Sequence, residues 1–158
     1  KVDDNITTLI VASGSLGDGA SSIFNALTHN VSLRRLDLPG NRITANCAKP
    51  IKDMLLRNTS LKTFSLASNE LNAVGSMELF EGLKSNSSLT CLSLACNLLY
   101  CNAQGHCDNC TMANALSATL KVNKTIGSLD LSGNRTGDLN LSELCKILAK
   151  RGNLNLRM

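Results

Sequence analysis

The residues of this 158-residue chain with the most overt chemistry are seven cysteines and two histidines. Three of the cysteines and one histidine crowd into residues 100–111 as Cys101, His106, Cys107 and Cys110, spaced C-x4-H-C-x2-C, with Cys96 just upstream. Four soft ligands so close in sequence can coordinate a tetrahedral zinc ion, although a strong signal needs a second, well-separated pair. A disulfide within the stretch and plain free thiols are the other readings, and free thiols lead. The odd count and irregular spacing of Cys47, Cys91, Cys96, Cys101, Cys107, Cys110 and Cys145 argue against a complete secreted disulfide framework. Cys47 and Cys145 fall in helical segments, where a small buried thiol is ordinary packing. Reduced and cytoplasmic is the simpler account.

Catalytic constellations find little support. His29 and His106 stand apart, and the sequence has neither a G-x-S-x-G elbow nor a Gly-rich phosphate loop. His106 and Cys107 are sequence neighbours, and neighbouring side chains seldom face one another as a base and nucleophile must. Asp37 and Asp130 hold similar register three repeats apart, too far for joint acid–base work on one bond. The sequence therefore predicts no enzyme and no cofactor.

Composition narrows the class further. Hydrophobic residues are 43% and charged residues 18%, but aromatics only 3%, so the apolar content is aliphatic. Leu, Asn and Ser number 28, 18 and 17, a bias that points to a repeated placement rule. No apolar run approaches membrane-spanning length, and apolar content is too high for disorder. A net charge of +4 falls short of the dense basic face that nucleic acid demands. Nothing after Lys1 reads as a signal peptide.

That rule is a repeat. Segments starting at Ile6, Leu33, Leu61, Leu89 and Ile126 lie 27, 28, 28 and 37 residues apart, and each carries apolar residues at its first, fourth and sixth places. The ninth place holds Asn41, Asn69, Asn97 and Asn134, with Gly14 in the first unit. Alternation over the fourth and sixth places describes a short strand with one buried face. Pairs four apart, Ile51 and Leu55, Leu79 and Leu83, Leu116 and Leu120, Leu144 and Leu148, describe one helical stripe. The boundaries are 6–32, 33–60, 61–88, 89–125 with an insertion at about 100–111, and 126–153, all within one domain over 1–158. Lys1 to Asn5 reads as the tail of an earlier unit, and Leu148, Leu154 and Leu156 as the start of a sixth. The expectation is a fragment of a longer array, with neighbouring repeats or chains at both ends.

Residues 33–43 (LRRLDLPGNRI), 61–71 (LKTFSLASNEL) and 89–99 (LTCLSLACNLL) resemble the leucine-rich repeat of the ribonuclease-inhibitor type. The resemblance implies an α/β solenoid, a horseshoe of about five 28-residue repeats with parallel strands on the concave face and helices on the convex face. Similar repeats occur in ribonuclease inhibitor, NOD-like receptors, tropomodulin, Ran GTPase-activating protein and axonemal scaffold proteins. The motif defines a fold and leaves the job open.

Side chains alternating with the buried leucines face outward on the strand side. Arg35, Asp37, Thr63, Ser65, Ser93 and Asp130 are the partner-binding candidates there, with Arg35 as the main anchor. Tyr100 and His106 join them from the insertion, since extra residues in a repeat map to a loop on one edge. The basic residues Lys146, Lys150, Arg151 and Arg157 read as solvation of a helix face.

Eight N-x-S/T sequons complicate the compartment: Asn5, Asn30, Asn58, Asn86, Asn109, Asn123, Asn134 and Asn140. In a secreted or cell-surface chain these are glycan acceptors. Asn30, Asn58, Asn86 and Asn123 share one place in the repeat, where Asn serves as a left-handed helix terminator. Repeat architecture is the preferred source.

The leading expectation is a non-enzymatic protein–protein interaction scaffold using the concave strand face and the Cys-rich loop. The alternatives are a ligand-sensing segment of a NOD-like innate immune receptor and a GTPase activator similar to the Ran regulator. A protein partner, no nucleic acid and no membrane span are expected.

Overall fold

A computed structural model describes residues 6–99, 111–134 and 141–158. Six three-residue strands, β1 (Thr8–Ile10), β2 (Arg35–Asp37), β3 (Thr63–Ser65), β4 (Cys91–Ser93), β5 (Ser128–Asp130) and β6 (Asn155–Arg157), form one parallel sheet in chain order. Each is centred on an apolar residue flanked by outward-facing neighbours, so register puts Leu9, Leu36, Phe64, Leu92, Leu129 and Leu156 in one row. Parallel neighbours need a long return, and the helices α1 (Ser21–Leu27), α2 (Ala48–Arg57), α3 (Asn72–Ser85), α4 (Thr111–Val122) and α5 (Leu141–Lys150) provide it.

Leu36, Leu38, Leu66, Leu79, Leu83, Leu94, Leu116, Leu120 and Leu131 are fully buried between sheet and helices. Each stabilises the fold by roughly 2 kcal/mol relative to an exposed side chain. The aromatic exception, Phe64, meets Phe24 edge to face with ring centroids 6.0 Å apart. Helices α2 and α3 press closely because α3 carries Gly82, where a Cβ would lie 3.0 Å from the backbone of Lys52. Cys47 is fully buried, as its segment predicts, and burial pushes its thiol pKa up. Cys145 is exposed on α5, against the expectation of a packed thiol.

Stacking coils this way leaves backbone groups at both ends of every strand, and two ladders of asparagine satisfy them. The first is the one the ninth place predicts. The Asn69 side chain accepts from the amides of Asn41 and Ile43, both at 3.0 Å, and donates to the carbonyls of Leu38, Leu66 and Ala67 at 2.9, 2.8 and 3.2 Å. Asn97 donates back to Leu66 at 2.7 Å and Asn134 back to Leu94 at 2.7 Å. The residue before each rung takes left-handed backbone, as in Ser68 (φ 56°) and Cys96 (φ 53°), while Gly40 and Gly133 hold it in their coils without steric cost.

The second ladder runs along the opposite edge, where helices end. Asn58 accepts from the amides of Ser60 and Leu61 and donates to the carbonyls of Leu27 and Asn30, one coil back, at 2.7 and 3.0 Å. Asn86 does the same toward Leu55 and Asn58, and Asn123 toward Leu83 and Asn86. These asparagines are not left-handed terminators: Asn58 and Asn86 have φ of −75° and −72° with extended ψ. They act through the side chain, bonding forward to the amides two and three residues on and backward to the previous coil. The hydroxyls of Ser60 and Ser88 then donate to the carbonyls of Asn30 and Asn58. Position 151 completes the series with Arg151, whose guanidinium reaches the carbonyls of Asn123 and Ile126 at 2.8 and 2.6 Å and is 8% exposed. The expectation that Arg151 belongs to a solvated basic face is therefore corrected.

Replacing Asn69 by Ala strands the amides of Asn41 and Ile43 and the carbonyl of Leu38 in the core. The cost should be about 3 kcal/mol or more, read as a lower urea midpoint with an unchanged m-value.

Candidate functional site

The strand face carries the predicted partner-binding residues in two registered rows. One row runs Thr8, Arg35, Thr63, Cys91, Ser128 and Asn155, the other Ile10, Asp37, Ser65, Ser93, Asp130 and Arg157. Neighbouring strands lie about 4.8 Å apart, so Asp37 and Asp130, three spacings apart, are separated by about 14 Å. Arg35 and Asp37 come together as an ion pair, with Nη2 2.6 Å and Nε 2.8 Å from one carboxylate oxygen. The arginine side chain is 53% exposed and that of Asp37 only 12%. Thr63, Ser65 and Ser93 are half-buried and line the strip between the two acids.

The two acids sit in matching positions with different local chemistry. Asp130 accepts from the amide and the hydroxyl of Ser132, two residues on, at 3.0 and 2.7 Å. Burial raises the Asp130 pKa, but those two bonds and the charge of Arg157 outweigh it, and the net shift is downward. At the equivalent place two residues after Asp37 stands Pro39, which has no N–H to give. The second oxygen of Asp37 is buried and without a partner among the described residues, so Arg35 alone neutralises that acid. Arg157, read from sequence as solvation, thus shapes the site. The register of β6 beside β5 reveals it, since only pairing puts Arg157 next to Asp130.

Tyr100, His106 and the zinc set Cys101, His106, Cys107 and Cys110 lie outside the described residues. Among the described residues no group of three His, Cys, Asp or Glu side chains could hold a metal ion. Of the sequons, Asn58, Asn86, Asn123 and Asn134 are at most 6% exposed, with both amide hydrogens committed to backbone carbonyls. No glycan fits at these nitrogens in the folded chain. Asn30 is half-buried, and Asn5, Asn109 and Asn140 lie outside the described residues.

The lowered Asp130 pKa fixes a sign. A carboxylate depressed below its unfolded value of 3.8 contributes stability present above that value and lost as pH falls through the folded pKa. Asp130→Asn should therefore weaken the chain near pH 7 and lose most of that difference near pH 2, measured by urea unfolding at both.

A leucine-rich-repeat family model matches residues 29–51 and 57–80. No curated protein matches significantly. Among solved structures, the actin-binding site 2 of leiomodin-1 superimposes with a TM-score of 0.77 at 20% identity, covering 95% of this chain and 83% of that one. The C-terminal domain of tropomodulin from Caenorhabditis elegans does so with a TM-score of 0.74 at 10% identity, covering 95% and 86%. Its repeat, its strand register and these likenesses give the chain the fold of a leucine-rich-repeat solenoid, with repeats that resemble the ribonuclease-inhibitor type.

Proposed function

We propose that this chain is a non-enzymatic protein-interaction scaffold whose strand face is the contact surface. The observation that supports this most is the rigid six-strand register, which presents Arg35, Asp37, Thr63, Ser65, Ser93 and Asp130 at fixed spacing. A surface ordered in advance loses little freedom on association, so modest polar contacts suffice for binding. Tyr100 and His106 extend this reading to the insertion. A reducing, cytoplasmic setting is part of the proposal, supported by four sequons whose nitrogens are consumed by the fold. Among the described residues no helix is long and apolar enough to cross a membrane.

Actin is the first partner to test, because the leiomodin-1 structure similar to this chain is an actin-binding site. In co-sedimentation with filaments and in binding to labelled monomer, the parent chain should bind. The double variant Ser65→Arg with Ser93→Arg should lose about tenfold in affinity at unchanged Tm. Equal binding by the variant would move the interface off the strand face. No binding by the parent would remove actin.

A further inference from the structure

Charge is sorted along the coils. At the edge where helices end and strands begin lie Arg34, Arg57, Lys62, Lys121, Lys124 and Lys150, all exposed. Arg57 and Lys150 close α2 and α5, Lys121 lies in the last turn of α4, Arg34 and Lys62 lead directly into β2 and β3, and Lys124 follows α4. The links 28–34, 58–62, 86–90, 123–127 and 151–154 contain no Asp or Glu. Lys84, at the end of α3, forms an ion pair with Glu81 at 2.5 Å. The opposite edge is mixed, with Asp18, Arg42 and Glu70, and the acids of the strand face have Arg35 and Arg157 beside them.

Helix macrodipoles explain the cations in last turns, which face the negative ends of their helices. Lys124, just past α4, donates from Nζ to the carbonyl of Lys121 in that last turn and serves the same helix end, but Arg34 and Lys62 stand away from any such carbonyl. Arg34 instead lies along the edge, its Nη1 3.0 Å from the carbonyl of Ser60 in the next coil. Exposed apolar side chains alternate with these charges: Val31, Leu56 and Val122 are 66%, 47% and 63% exposed.

We propose that this edge binds an acidic protein segment with interspersed apolar residues. A row of cations broken by single aliphatic side chains is complementary to such a segment in both charge and patterning. Nucleic acid fits less well, because Phe24, Phe64 and Phe80 are fully buried and leave no aromatic platform for bases among the described residues. An anionic membrane fits less well too, since the apolar groups are isolated on separate coils and form no continuous face to insert. The proposal rests on the chain being a protein-interaction domain but is independent of the strand face.

Fluorescence anisotropy of labelled poly-L-glutamate at low salt tests it. The pair Lys62→Gln with Lys124→Gln should weaken binding about fivefold. The pair Arg42→Gln with Lys49→Gln removes the same net charge elsewhere and should leave binding unchanged. Equal losses from the two pairs would overturn the site. Tighter binding of the parent chain to phosphatidylserine vesicles or duplex DNA than to poly-L-glutamate would overturn the partner class. A failure to bind actin would leave both results standing, since neither lysine lies on a strand.

Discussion

The primary carboxamide is the group on which this architecture depends. A parallel stack of three-residue strands breaks the backbone ladder twice per coil, and a buried amide or carbonyl without a partner costs about 1 to 3 kcal/mol. One asparagine carries two donors and an acceptor with two lone pairs, so a single side chain can close the gap in its own coil and reach the coil before. Both strand ends use it, at Asn41, Asn69, Asn97 and Asn134 on one edge and at Asn58, Asn86 and Asn123 on the other. The leucine core supplies the larger share of stability. The carboxamides decide that coils stack in one register instead of collapsing generally.

That arrangement also divides the surface by chemistry. Outward positions of the strand face must fit between neighbours about 4.8 Å apart, which favours small hydroxyl residues and short acids with an arginine beside them. The helix-end edge has no such crowding, so long cations accumulate there. A scaffold built this way offers a nearly neutral, preorganised strip and a basic rim on one object, two surfaces that suit partners of different character.

Much of the fold was legible in the letters. The L-x-x-L-x-L-x-x-N pattern located strands β1 to β5, their common register and the first asparagine ladder, because period-two alternation and a side chain with a definite hydrogen-bonding capacity leave few alternatives. Asn58 and Asn86 were readable as a repeated position, but not as a second ladder. Asparagine both terminates helices in left-handed backbone and bonds forward through its side chain, and spacing cannot distinguish the two. Arg151 was unreadable for a related reason, since a charged residue joins a burial pattern only when three-dimensional stacking brings carbonyls around it. The partner strip was legible as a list of outward residues. The asymmetry between Asp37 and Asp130 was not, because it depends on Pro39 withholding an N–H that Ser132 supplies.

Native-state hydrogen exchange tests most directly whether the asparagine rungs hold the coils together. The amides of Leu61, Leu89 and Ile126 donate to Asn58, Asn86 and Asn123 side chains, while those of Leu38 and Leu66 belong to the sheet ladder. If the rungs couple the coils, both sets exchange only through global unfolding and report the same free energy. Exchange of Leu61, Leu89 and Ile126 through local openings, at free energies well below those of Leu38 and Leu66, would contradict it.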